Sequence, residues 1–126
     1  MVQAPGSSRV DERLEVLNRY RVLSPTPNPS LDGLVRVAAT LCDAPIAFVG
    51  FFDRERQIIK ASIGWPYARL PRQVSLCAQT IAQKTLIVIE DLHQHPTLRQ
   101  HPILEVDPQL RFYAGVPLIT SEGLAI

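Results

Sequence analysis

Two cysteines and three histidines are the side chains of this sequence with the widest chemical reach. Cys77 lies in "VSLCAQTI" (residues 74–81), just after the basic stretch Arg69 to Arg72. A nucleophilic thiol needs its pKa lowered by a helix amino terminus, a nearby cation or a paired histidine. A place near the start of a short helix, with Arg72 upstream, meets part of that requirement. No histidine adjoins Cys77 in sequence, however, and its small, apolar surroundings read as packing. The expectation is a thiol that lines the interior and makes no bonds. Cys42 and Cys77 form no C-x-x-C pair or spaced cluster, so neither a disulfide framework nor a zinc site is expected.

His93 and His95 form an H-x-H pair, which on a strand would send both rings to one side, as metal ligation requires. Pro96 and Pro102 directly follow His95 and His101 and favour loop geometry, so a solvated loop without metal is the reading. Arg54, Arg56 and Lys60 alternate with Asp53 and Glu55, which suits a solvated hairpin better than a nucleic-acid surface. No G-x-S-x-G, Walker loop or G-x-G-x-x-G is present, which leaves acyl transfer, nucleotide hydrolysis and dinucleotide binding without support.

What remains is a concave, small-ligand type of site. Trp65, Arg72, Ser75, Cys77, Glu90, Asp91, Arg111 and Tyr113 combine aromatic walls with sparse hydrogen-bonding groups, the mixture such pockets use. Each also has a packing alternative. Trp65 would cover the core, Arg111 would pair with Glu90 or Asp91 across neighbouring strands, and Tyr113 would be a sheet-face aromatic.

The elements that must position these residues are legible in part. Ser8 with Asp11 reads as the start of a helix over Asp11 to Tyr20, with Val10, Leu14, Leu17 and Tyr20 or Arg21 on its apolar side and Asp11, Glu12, Arg13 and Glu15 on its polar side. "SPTPNPS" is a semi-rigid connector. Ser30 reads as the cap of a second helix, whose apolar face Leu31, Leu34, Val35, Ala38, Leu41 and Cys42 places Cys42 in the core. "PIAFVGFF" and "QIIKASIG" form an antiparallel hairpin around the turn "DRER". "WPYARLPRQ" reads as a loop without regular structure, and Ser75 to Gln83 as about two helical turns. Leu86 to Asp91 and Arg111 to Leu118 are further strands, with only short helical pieces between them. "TSEG" then turns into "LAI", where a fifth strand begins. This order implies an α+β fold with a largely antiparallel sheet.

Length and charge set the outer bounds. The chain has 126 residues, 46% of them hydrophobic, enough for one core without disulfides or metal. A net charge of +1 draws it to neither nucleic acid nor an anionic membrane. The longest apolar run, Ala44 to Phe52, is too short to span a bilayer, and the amino terminus lacks the pattern of a signal peptide. A cytoplasmic location is expected.

The succession "LDGLVRVAATLCDAPIAFVGFFDRERQIIKASIG", "LPRQVSLCAQTI", "LIVIEDL" and "RFYAGVPLITSEGLAI" resembles the GAF domain family. The closest subgroup is the one at the head of bacterial sensor kinases and cyclic-di-GMP enzymes. The resemblance spans about residues 12–126. It implies a GAF/PAS-like antiparallel sheet with helices packed on one face and a small-ligand pocket on the other. It also implies a single domain with an amino-terminal helix and connector over 1–29 and a core over 30–126, stopping before the family's last strand and carboxy-terminal helix.

Some members reduce free methionine sulfoxide through a relay of cysteines, an arrangement that Cys42 and Cys77 do not match. Others attach a linear tetrapyrrole through a cysteine in the segment equivalent to "HPTLRQHPILEVDPQL", which here contains none, so no covalent tetrapyrrole is expected. The implied function is that of a non-catalytic sensor domain in a bacterial signal-transduction protein such as a two-component system. It would bind a small molecule of unknown identity, or relay dimer contacts, to an attached kinase or cyclase. The alternatives are a structural dimerisation module with a vestigial pocket and a thiol redox enzyme using Cys77. Expected partners are a small-molecule ligand, a second copy of the chain through the first helix, and a carboxy-terminal signalling domain, with neither nucleic acid nor membrane.

Overall fold

A computed structural model describes the backbone of residues 3–21 and 26–126, and the side chains of 12–21 and 26–126. Asn28 opens helix α2 (Pro29–Leu41): its side-chain oxygen accepts the Leu31 amide at 3.2 Å, and Pro29 occupies the first helical position with φ already set for a helix. The cap is therefore Asn28 and not Ser30: Pro29 has no N–H to leave unsatisfied, and the helix starts two residues earlier than a Ser30 cap would give. Ser24 and Pro25 of the connector lie outside the described residues.

Helix α1 spans Gln3–Tyr20, so Ser8, read as its cap, is inside it. The side chains of Ser8, Val10 and Asp11 lie outside the described residues. Leu17 is buried, as its spacing implies, and Leu14 half-buried; Val16 and Arg13, neither of them expected on the apolar side, are buried as well. The Arg13 guanidinium donates to the carbonyls of Phe52 and Asp53, the latter at 3.2 Å, so a residue assigned to the polar face is held inside by charge-assisted hydrogen bonds. Tyr20 and Arg21, assigned to the apolar side, are exposed. Arg21 already has a φ of 57°, past the helix end.

On α2 only Val35 is buried; Leu34, Ala38 and Leu41 face out. Cys42 is exposed as well, against the expectation of a core position. The helix closes there, with the Cys42 N–H reaching Ala38 O at 3.0 Å and Asp43 in the left-handed region, so the thiol falls on a turn beyond the packed face.

Strand β1 (Ala47–Phe52) pairs antiparallel with β2 (Arg56–Ile63), with a bulge between Val49 and Gly50. Asp53 shapes the turn, its Oδ1 accepting the amides of Glu55 at 2.9 Å and Arg56 at 2.7 Å. Burial raises the Asp53 pKa, but these amides and the Arg56 guanidinium outweigh it and hold the carboxyl below its usual value. Strand β3 (Arg69–Pro71) extends the sheet in the order β1-β2-β3, and Arg72–Val74 forms a 3-10 turn. The segment read as irregular thus contains a strand. Pro66 stands before it and Pro71 is its last residue, positions at a strand's ends that tolerate proline.

Helix α3 (Cys77–Gln83) ends at Lys84, which adopts φ 54° and returns its N–H to Thr80 O at 3.0 Å. Strand β4 (Ile87–Ile89) pairs antiparallel with β5 (Tyr113–Gly115), matching Ile89 with Tyr113 and Ile87 with Gly115. Both strands are shorter than expected. The pairing ends where the Leu92 N–H donates to Arg111 O at 2.6 Å and the chain enters two 3-10 turns and helix α4 (Ile103–Val106). Beyond β5, Ile119 and Ala125 form an antiparallel bridge around Gly123, whose φ is 86°.

The chain forms two compact units, residues 1–70 and 71–126. The first buries Val16, Leu17, Val35, Phe51, Phe52, Ala61, Trp65 and Leu70; the second buries Leu76, Ile89, Leu92, Leu98, Ile103, Leu104, Ala125 and Ile126. The class is α+β with antiparallel strand pairs, as expected. Among the described residues no helix is long and apolar enough to cross a membrane.

Candidate functional site

Of the eight residues singled out from the sequence, Trp65 belongs to the first unit and the other seven to the second. Trp65 leaves β2 through Gly64, whose φ of +70° suits glycine and where a Cβ would run into the Pro45 carbonyl oxygen. This close passage delivers the indole to Phe48, with ring centroids 5.7 Å apart, and to the edge-on ring of Tyr67 at 5.3 Å. Phe48 pairs with Ser62 across the hairpin, and the Ser62 hydroxyl lies 3.5 Å from Trp65 O. Trp65 is only 8% exposed, and its buried Nε1–H has no hydrogen-bond partner among the described residues. Phe48 and Tyr67 were not among the expected site residues. The signal for them was the aromatic content of "AFVGFF" and "GWPY", which strand pairing brings together.

In the second unit Cys77 and Tyr113 meet. The Tyr113 hydroxyl donates to Cys77 Sγ at 3.5 Å and lies 2.7 Å from Thr80 Oγ1, making a chain from Thr80 through Tyr113 to Cys77. Burial pushes the Tyr113 phenol above its usual pKa, and Cys77 adds to the effect, so the phenol stays a donor. Ser75, itself buried, accepts the Cys77 amide at 3.1 Å and fixes the start of α3. Thr80 was not foreseen; one helical turn from Cys77, it shares that face of α3.

Asp91 and Arg111 form the cross-strand pair anticipated as a packing alternative, Nη1 to Oδ2 at 3.0 Å and to Oδ1 at 3.3 Å. Asp91 Oδ1 also accepts the His93 amide at 3.0 Å, so the carboxylate caps a 3-10 turn and closes the end of the β4–β5 hairpin. Glu90 is exposed, and Arg72 sits in the 3-10 turn before α3.

The histidines are turn-forming groups. His95 Nδ1 accepts the Leu98 amide at 3.0 Å, His101 Nδ1 accepts the Ile103 amide at 3.1 Å, and His93 Nε2 lies 2.8 Å from Pro108 O. Among the described residues no group of three or more His, Cys, Asp or Glu is arranged to hold a metal.

Comparison with known proteins places this geometry. A family model described as "GAF domain" matches residues 27–125. A cyclic di-GMP phosphodiesterase of Pseudomonas aeruginosa is 31% identical over 124 residues, covering 98% of this chain and 21% of that protein. The chain therefore spans about a fifth of the relative's length. The GAF domain of a phosphoenolpyruvate-protein phosphotransferase from Coxiella burnetii superposes with a TM-score of 0.61 at 19% identity, over 92% of this chain and 74% of that one. Free methionine-R-sulfoxide reductase from Neisseria meningitidis, in complex with its substrate, superposes at 0.60 with 19% identity, over 93% and 71%. At such identities the two structures speak for the fold.

Proposed function

Because this chain belongs to the GAF domain family, we propose that it is the regulatory sensor module of a bacterial signalling protein, binding a small molecule and passing its occupancy to an attached catalytic domain. The observation that carries this reading is the match over nearly the whole chain to a fifth of a cyclic di-GMP phosphodiesterase, which favours a cyclic-di-GMP enzyme as the attached domain over a kinase. Residues 1–29 act as helix and connector to a core over 30–126. The module itself is not catalytic, and it works in the cytoplasm.

For the module to switch anything, its ligand must prefer one of two arrangements; equal affinity for both leaves the output unchanged. The candidate ligand-binding residues are Trp65 in the first unit and, separately, Arg72, Ser75, Cys77, Glu90 and Tyr113 in the second. Asp91 and Arg111 satisfy each other, which makes them a structural pair first. Exposed Leu34, Val37 and Leu41 on α2 support a contact between two copies, alongside α1.

The test is a thermal-shift panel of cyclic nucleotides, tetrapyrroles, haem and amino acids, followed by assay of the longer protein's output. One ligand class is expected to raise the unfolding midpoint, by about 2.7 kcal/mol of added stability at a hundred times its dissociation constant, and to change output over the same concentrations. If no class binds, and removing residues 1–126 leaves output unaltered, the sensor reading fails. A concentration-dependent dimer lost in Leu41→Glu would then favour the dimerisation module.

A further inference from the structure

All three histidines of the sequence fall in the segment that joins β4 to β5, and each has a ring nitrogen bonded to the backbone. Their bonds differ in direction. His95 Nδ1 accepts the amides of Thr97 at 3.2 Å and Leu98 at 3.0 Å, at the start of the second 3-10 turn (Leu98–Gln100). His101 Nδ1 accepts the Ile103 amide at 3.1 Å, at the start of α4. An imidazole accepts only at an unprotonated nitrogen, so both rings are neutral there, with the proton on Nε2. Pro108 O can only accept, so His93 Nε2–H donates to it, and a protonated ring makes the same bond. Beside it Asp91 pairs with Arg111, and the Leu92 N–H reaches Arg111 O. The base of the segment is thus held by contacts that need no neutral histidine, and its middle by contacts that do.

We propose that residues 95–104 are an acid-released flap. Protonating His95 and His101 frees both turns and the side chains they carry, the buried Leu98, Ile103 and Leu104, while His93 and the Asp91–Arg111 pair keep the base closed. This device stands apart from the ligand-sensing reading and needs neither a ligand nor an attached domain.

The charged side chains of the segment and its hairpin are Glu90, Asp91, Arg99, Glu105, Asp107 and Arg111. Asp91 is engaged with Arg111 and the His93 amide, and Asp107 with the Gln109 amide. Among the described residues none forms an ion pair with His95 or His101. A proton on either Nδ1 therefore displaces the amides bonded there and gains no carboxylate in exchange. Burial lowers the His101 pKa, with no contribution from a charged side chain of any surrounding element. Its capped form is fully stabilised above about pH 6.5 and is lost as pH falls through the lowered value.

Amide hydrogen exchange of the 126-residue chain, corrected for the intrinsic rate at each pH, tests the proposal. Protection at Thr97, Leu98 and Ile103 is expected to fall about tenfold or more between about pH 7.5 and about pH 5, while Leu92 and the β1–β2 amides keep theirs. The double variant His95→Asn, His101→Asn has acceptors that do not titrate and should lose most of that response, whereas His93→Gln should retain it.

Unchanged protection in the flap, an equal fall at Leu92 or in β1–β2, an undiminished fall in the double variant, or a fall that vanishes in His93→Gln overturns the proposal. If the double variant does not fold, nitrogen NMR of the imidazoles in the parent chain decides. Protection lost in step with protonation of His95 or His101 supports the flap; loss while both stay neutral, or a neutral ring carrying its proton on Nδ1, overturns it.

Discussion

The Tyr113 hydroxyl occupies the space a Cβ on Gly115 would need, and that imagined Cβ would also come within 3.0 Å of Thr80 Oγ1. Residues 113 and 115 point to the same face of β5, so the missing side chain is what lets the phenol cross toward α3. Gly115→Ala should destabilise the fold by about 1–3 kcal/mol, as overpacking does. In a Tyr113→Phe background the cost should shrink, because the clashing hydroxyl is gone; denaturant unfolding of the four proteins measures that coupling. At the same scale, His101 Nδ1 accepts a backbone amide only when unprotonated, and burial holds its pKa below 6.5. Its stabilisation is complete above about pH 6.5 and is lost as pH falls through the lowered folded value. Replacing it by asparagine, which keeps an acceptor near the same place, should reduce the acid loss of stability by up to about one bound proton. Melting curves of parent and His101→Asn from neutral to mildly acid pH isolate this from His93 and His95. Neither role was readable from "GVP" or "QHP", since each depends on a partner folded back from elsewhere.

Gly64 decides how β2 ends. An alanine there would carry a left-handed φ and collide with the Pro45 carbonyl, so Gly64→Ala should cost about 2 kcal/mol or more and shift Trp65 emission. A normal emission spectrum with unchanged stability would show that the turn does not place the indole. The hairpin itself was plain in the sequence, because two apolar runs around "DRER" specify antiparallel pairing locally. β3 was not, because a three-residue strand that itself ends on a proline carries too little pattern to separate an edge strand from a loop. Helix α2 was found within two residues of its true ends, yet Leu34, Ala38, Leu41 and Cys42 lie outside its buried line. Helical spacing says which residues share a face; it does not say how wide a neighbouring sheet will be.

For the whole molecule, the family match runs across residue 70, where the two compact units divide. One cooperative unfolding transition is therefore expected, moved by both Phe52→Ala and Leu92→Ala, each costing about 2–5 kcal/mol at a fully buried position. Two transitions, each sensitive to one substitution, would contradict a single folding domain. Composition, near-neutral charge and the order of apolar runs were enough to determine the α+β class, the hairpin and the family, because these are properties of neighbours along the chain. The burial of Arg13, the exposure of Cys42, the Thr80–Tyr113–Cys77 contact and the burial of the Trp65 indole with no partner among the described residues were decided by the tertiary structure alone. Whether a polar atom finds a partner, and whether an apolar one finds cover, depends on groups dozens of residues away, which no local pattern encodes.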